Sequence, residues 1–347
     1  MSTIDQDLKL TLERVSASGI PIDLKNKITT RIHQLLNLKD SPTFLPEYDS
    51  MTRYVEWILA LPWNVRTEDN LDINRAKEIL DKNHHGLSEI KDRVLEYLSV
   101  MKLKRDKGEG AEVYRAPILC FVGLAGTGKT TIAISIAEAM GRKFVRIPFG
   151  GMGDALELRG QSRMHAEAEP GKVIKALRSA GSKNCVVLLD EIDRVTEQGR
   201  SSIMGVLVEL LDPNQNKEYV DHYIDYPFDL SEVLFIATSN NTQTISTAVM
   251  DRLEPISMPS YSDNEKIAIA KNYMMPRVRK EAGIDEKMLV INDDVWPLLV
   301  RPFGFDAGMR TIERTLQGVA RKVARMLVEG SITNVTLTKE NFKEFVD

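Results

Sequence analysis

The octapeptide Gly123-Leu124-Ala125-Gly126-Thr127-Gly128-Lys129-Thr130 constrains the fold of this 347-residue chain more than any other segment. Its spacing, G-x-x-x-x-G-K-[ST], is that of a phosphate-binding loop. It lies between an apolar run, Pro117 to Val122, that reads as a buried strand, and a stretch from Thr131 to Met140 that reads as a helix. The chemistry requires that order. Glycines let backbone N–H groups curl round a polyphosphate, and the helix N-terminus adds its partial positive charge. The pattern predicts nucleoside-triphosphate binding through Gly123 to Thr131, with Lys129 reaching the β- and γ-phosphates and the Thr130 hydroxyl ligating Mg²⁺. Such a strand–loop–helix belongs to an α/β fold with a parallel sheet between helices.

Sixty residues further on, Cys185-Val-Val-Leu-Leu-Asp190-Glu191-Ile-Asp193 pairs an apolar β-branched run with acids at its end. A buried parallel strand delivers such acids at its C-terminal end, where ligands of open α/β sheets collect. Asp190 is expected to hold Mg²⁺ through its water shell, and Glu191 to orient and deprotonate the attacking water. Asp193 has the weaker claim of capping the turn that follows. A second apolar run, Val233 to Ser239, ends in Asn240 at the same imagined sheet edge, placed to help Glu191 position the water. Arg252 and Arg310 stand out only as arginines near helical stretches, and arginines usually make solvated surface pairs.

These residues resemble the ATPase module of the Lon protease family within the AAA+ class. The likeness extends over nearly the whole chain: Trp57-Ile-Leu-Ala-Leu-Pro-Trp63-Asn64, His84-His-Gly-Leu87, Gly141-Arg-Lys-Phe-Val-Arg146, Leu210-Leu-Asp-Pro213, Asp221-His-Tyr223 and Asp251-Arg-Leu-Glu254 follow in the family's order. The resemblance implies an AAA+ P-loop fold followed by a small helical lid and preceded by a helical neck. It implies ATP/ADP and Mg²⁺ as ligands, with His85 and Gly86 in the adenine-side turn. It casts Asn240 as the first sensor, Arg252 as the arginine finger offered to a neighbouring subunit, and Arg310 as the second sensor. A site completed by a neighbour implies self-association, expected as a homohexameric ring or spiral.

Three departures from the family pattern matter. The chain ends at Asp347, about where a serine–lysine peptidase domain would begin, so no peptidase activity carries over. The large N-terminal substrate domain is also expected to be missing. The family's substrate-gripping aromatic–aliphatic pair falls on His165 and Ala166, within Arg163-Met-His-Ala-Glu-Ala-Glu-Pro-Gly171, and His85 stands where a tyrosine is expected beside adenine. His and Ala offer far less apolar area for gripping an extended chain. The expected function is ATP hydrolysis for protein remodelling or partner regulation, by a stand-alone protein or a module cut from a longer one. The alternative is a nucleotide-gated scaffold with little turnover.

The net charge of −4 supplies no field favouring nucleic acid, which disfavours a DNA-associated motor. Its two cysteines, Cys120 and Cys185, lie in expected core strands with no metal or redox spacing. The polar N-terminus is not a signal peptide, and no apolar run approaches membrane-spanning length, so a cytoplasmic location is expected. The organisation reads as a helical neck over 1–69, a nucleotide-binding α/β domain over 70–258 and a helical lid over 259–347. In the neck, Ile4, Leu8, Leu12 and Val15, then Leu24, Ile28, Ile32 and Leu35, form stripes narrow enough to pack on a neighbour.

Overall fold

A computed structural model of the chain describes residues 3–39, 41–108, 118–165, 167–300 and 308–346. Its elements in chain order are α1 (Thr3–Ala17), α2 (Ile22–Leu36), α3 (Phe44–Ala60), α4 (Ile73–Asn83), α5 (Ser88–Asp106), β1 (Ile118–Val122), α6 (Lys129–Met140), β2 (Phe144–Pro148), α7 (Leu156–Arg159), α8 (Lys172–Ala180), β3 (Val186–Asp190) and α9 (Arg200–Leu211). There follow β4 (Tyr219–Val220), β5 (Pro227–Phe228), β6 (Leu234–Ser239), α10 (Thr247–Met250), β7 (Leu253–Ser257), α11 (Asp263–Ile269), α12 (Met275–Ala282), β8 (Leu289–Ile291), α13 (Trp296–Val300), α14 (Arg310–Val328), β9 (Val335–Leu337) and α15 (Phe342–Phe345). The fold is that of an AAA+ nucleotide-binding protein: a sheet ordered β2-β3-β6-β1-β7, flanking helices, a helical N-terminal region and a mostly helical C-terminal part.

The chain forms two compact units, Met1–Leu71 with Ser99–Cys120 and Ala137–Pro255, and Asp72–Leu98 with Phe121–Ile136 and Ile256–Asp347. In the first unit β2, β3 and β6 run parallel, with Phe144 opposite Val186 and Val186 opposite Leu234. Every residue of β3 and β6 is buried, as strands covered on both faces must be, so both read as continuous apolar runs. Register brings their C-terminal ends together, delivering Asp190 and Asn240 to one edge. The N-terminal stripe of this unit is covered within the chain itself: α1 packs on α2 and α2 on α3, burying Leu8, Val15, Leu24, Ile28, Ile32 and Leu35. The stripe is buried because α3, whose own buried residues include Val55 and Ile58, packs on both α1 and α2 within the same chain.

In the second unit, the C-terminal core gathers Val278, Leu289, Trp296, Leu316, Val319 and Leu337. A capping box on Ser262 and Glu265 starts α11. The helix does not pass directly into α12: Ala270–Met274 widen into a π turn just before Pro276. Proline lacks the N–H of an i→i−4 bond and crowds the preceding turn, and the wider turn accommodates it. The β-prone Val335–Leu337 pairs in parallel with β8, a strand whose three residues give little periodic signal. Among the described residues no helix is long and apolar enough to cross a membrane.

Candidate nucleotide site

In the second unit, the phosphate loop joins the end of β1 to the first turn of α6. Gly126 and Gly128 have φ of 82° and 96°, a region only glycine enters without strain. A Cβ on Gly123 would lie 2.5 Å from the Met258 carbonyl oxygen, so the approach of the chain after β7 demands a glycine there too. Lys129 is buried, and its Nζ donates to the carbonyls of Gly123 at 2.6 Å and Leu124 at 2.9 Å. Thr127 Oγ1 donates to Leu124 O at 2.9 Å, and Thr131 Oγ1 to Gly128 O at 2.8 Å. Thr130 sits half-buried in the first turn of α6, and the Ala125 carbonyl oxygen would lie 2.4 Å from a Cβ on Gly308, so the two backbones approach closely.

Two further segments of this unit meet the loop. Tyr261 Oη donates to Thr127 O at 2.9 Å; burial, with the Glu265 carboxylate adding to it, pushes the phenol up to about 12, so it stays a donor near neutral pH. Met309 N–H donates to Gly126 O at 3.1 Å, and Arg310 opens α14 immediately after it, exposed, with its Cγ 3.4 Å from where a Gly126 Cβ would stand. The fold thus brings Arg310, read from the sequence only through resemblance, against the loop. His85 and Gly86 form the turn between α4 and α5, with Gly86 at φ 63° and the His85 ring 6.3 Å from that of Tyr273. Beside them His84 is buried: its Nε2 shares a hydrogen with Ser135 Oγ at 2.9 Å, and Lys91 donates to its carbonyl at 2.7 Å.

In the first unit, Asp190 ends β3 almost fully buried, and both its carboxylate oxygens are engaged. Thr238 Oγ1, from β6, donates to Oδ1, and the Arg146 guanidinium, from β2, donates to Oδ2 through Nε at 2.6 Å. The Glu191 N–H donates in turn to Thr238 Oγ1 at 2.9 Å. Glu191 itself has φ 58° and ψ 50°, a left-handed conformation unusual for a side chain with a Cβ. Its carboxylate is partly exposed, 3.7 Å from Arg194 Nη1 and 3.4 Å from where a Gly150 Cβ would be. The chain after β3 turns sharply, and the Thr238 bond holds the turn that presents Glu191. Asp193 is a receptor for the next strand end, with Oδ1 accepting from Asn240 N–H at 3.1 Å and Oδ2 from Asn241 Nδ2 at 3.3 Å. Arg252, just after α10, donates to Ala248 O at 2.7 Å and pairs with Asp212 at 2.9 Å.

Thr238, Arg146 and Tyr261 are contributions that nothing in the sequence pattern singles out. Thr238 looks like a β-branched filler of a core strand, Arg146 like a solvated edge-strand arginine, and Tyr261 like a residue between elements. In the same unit as Asp190, the segment carrying His165 is closed at its base by Asp221. Its Oδ2 accepts from Gly171 N–H at 2.7 Å, and its Oδ1 from Tyr223 and Ile224 N–H at 2.9 and 3.1 Å. Arg163 lies 3.8 Å over the Tyr54 ring of α3, and His165 is exposed. Ala166 lies outside the described residues.

Two known domain families match this framework. Residues 119–260 match the ATPase family associated with various cellular activities (AAA), and residues 280–335 match the Lon protease AAA+ ATPase lid domain. Lon protease 2 of Thermus thermophilus is 41% identical over 99% of this chain and 43% of its own length. The Lon protease of Dictyoglomus thermophilum is 44% identical over 88% of this chain and 38% of its own. Lon protease 1 of Bacillus subtilis is 38% identical, covering 98% and 43% respectively. A phosphate loop in an AAA domain defines a P-loop ATPase, and with the matching lid and relatives the chain belongs to the AAA+ ATPase part of the Lon protease family. It spans about 40% of the length of the curated relatives it matches.

The residues fit the ligands this family implies. The positive-φ glycines and the α6 N-terminus suit a polyphosphate. Among the described residues no group of three His, Cys, Asp or Glu is arranged to hold a metal alone. A single carboxylate at a strand end, such as Asp190, suits Mg²⁺, which keeps several waters and takes its other ligands from substrate phosphates.

Proposed function

We propose that this chain hydrolyses ATP with Mg²⁺ at the subunit interfaces of a ring or spiral of like chains, remodelling proteins or regulating a partner. The observation that carries the hydrolytic reading is the chain of hydrogen bonds from Glu191 N–H through Thr238 to Asp190. A scaffold that used ATP only to assemble would need a phosphate loop but no such fixed pair of acids. In the proposed reaction Mg²⁺ neutralises charge on the transferring phosphoryl group. Lys129 and the loop N–H groups hold the triphosphate, Thr130 and Asp190 keep the metal, Glu191 takes the water's proton, and Asn240 orients the water. Arg310 answers to the γ-phosphate from beside the loop. Arg252 serves a neighbouring subunit, its guanidinium oriented by Asp212. His85 and Gly86 flank the adenine, and no peptidase chemistry belongs to these residues.

Steady-state ATP hydrolysis against protein concentration tests this, with Arg252→Ala measured alongside. Turnover per chain should rise with concentration and fall by about a thousandfold or more in the variant, the range seen for arginine fingers. A flat, near-zero rate with tight nucleotide binding and confirmed assembly would point instead to the nucleotide-gated scaffold. The exposed His165, where a gripping aromatic is expected, is the one feature that favours that second reading.

A further inference from the structure

Arg146 is a surface residue with a buried task. Its side chain is 51% exposed, while that of Asp190 is 6% exposed. Both Nε and Nη2 converge on a single oxygen, Oδ2, at 2.6 and 2.5 Å. Thr238 occupies the other oxygen, so the guanidinium is the only positive charge bonded to this carboxylate among the described residues. A buried carboxylate without a counter-charge is strongly disfavoured, so the pair stabilises the strand end as it stands. The same carboxylate cannot hold two cations at close range without mutual repulsion.

Arg146 also has somewhere to go. It lines an open groove of about 430 Å³ between β2 and α8, with Lys172, Lys175, Ala176 and Ser179. Both lysines are already neutralised, by Glu157 and Glu169. A long side chain on an edge strand swings into such a groove at little cost, its head staying in water. Asp190, inside the sheet, has no comparable freedom.

We propose that Arg146 is a positioning residue that holds the Asp190 carboxylate when no metal is bound and competes with the divalent cation for it. Arg146 thereby sets how strongly metal and nucleotide reinforce each other's binding. This rests on the reading above that Asp190 holds the metal.

The test measures the dissociation constant of a fluorescent ADP analogue in Mg²⁺ and in EDTA, and takes their ratio as the coupling between metal and nucleotide. Arg146→Gln should raise that coupling about fivefold, a gain that general loss of structure would not produce. Arg146→Lys, which keeps the charge, should stay near the parent value. Asp190→Asn should collapse the coupling, and Arg146→Gln added to it should then change nothing, as a double-mutant cycle requires. An unchanged or reduced coupling in Arg146→Gln, with Asp190→Asn behaving as stated, overturns the competition. Unchanged coupling in Asp190→Asn overturns the metal reading instead. Thermal melts confirm that each variant is folded, and a glutamine variant that fails to fold leaves the lysine variant and Arg146→Met to decide by the same ratio.

Discussion

Glu191 is held in a conformation that its own backbone disfavours, and the energy comes from a neighbour's hydroxyl. Thr238 accepts from the Glu191 N–H and donates to Asp190, so one hydroxyl ties the expected base to the expected metal carboxylate. Hydrogen bonds to charged groups are worth about 1.5–3 kcal/mol. Thr238→Val, nearly isosteric, should lower the ATP turnover number by roughly ten- to a hundredfold while nucleotide affinity stays within a few-fold, and Thr238→Ser should recover most of it. Equal losses in binding and turnover would make the hydroxyl a fold element only. Glu191→Gln should keep nucleotide binding and abolish turnover; surviving turnover would place water activation elsewhere. At this scale the acids were legible and their support was not. Asp190 and Glu191 interrupt an apolar run, whereas Thr238 continues one. Arg146 looks polar on an edge strand, where a solvated arginine is the ordinary expectation, and only the register of Arg146 against Leu188 brings it to the strand end.

His84 shows how an element boundary carries a pH dependence. It caps α4 at its C-terminus, buried against Ser135 with the Lys91 ammonium on its carbonyl. Burial, and then the Lys91 charge, lower it to about 4 from an ordinary 6.5. The unfolded chain therefore binds one more proton than the folded chain between those values. The stability from neutral His84 is fully present above about pH 6.5 and is lost as pH falls toward 4. Between pH 7 and 5 this amounts to about 2 kcal/mol. Urea unfolding at both pH values should show the parent protein losing about that much more than His84→Gln. Equal losses would mean that the imidazole is not buried as a neutral base. The His84-His85 pair is visible in the sequence only as a turn or pocket wall; which ring is inside depends on where α6 brings Ser135. The apolar runs that became β1, β3 and β6 were legible as strands, whereas β8 was not, since three residues carry no period and its partner lies more than forty positions away. The N-terminal stripe was legible as a stripe, but its partner was not, because α3 covers it from the same chain.

For the molecule as a whole, the open matter is what the proposed ring acts on. The segment that carries His165 is anchored at its base. Gly160 and Gly171 approach so closely that a Cβ on Gly160 would lie 2.7 Å from the Gly171 nitrogen, and Asp221 binds the same crossing. Arg163 adds a second anchor through Tyr54 on α3. The base is therefore set by the fold, and the exposed His165 is where the segment departs from the aromatic that the family resemblance leads one to expect. An exposed histidine offers a polar ring; a tyrosine beside an isoleucine offers a flat apolar surface that holds an extended chain with little regard to its sequence. If the assembled chains thread polypeptide, installing Tyr at 165 and Ile at 166 should raise ATP turnover in the presence of an unfolded protein such as casein by about threefold or more, without changing the basal rate, since neither position belongs to the proposed nucleotide machinery. Asp221→Asn added to that pair should reduce the gain, because the tip would then be carried on a looser base. Stimulation that stays flat in the Tyr–Ile variant, with basal hydrolysis and assembly intact, would mean that the energy of ATP is delivered to a docked partner and not to a threaded chain.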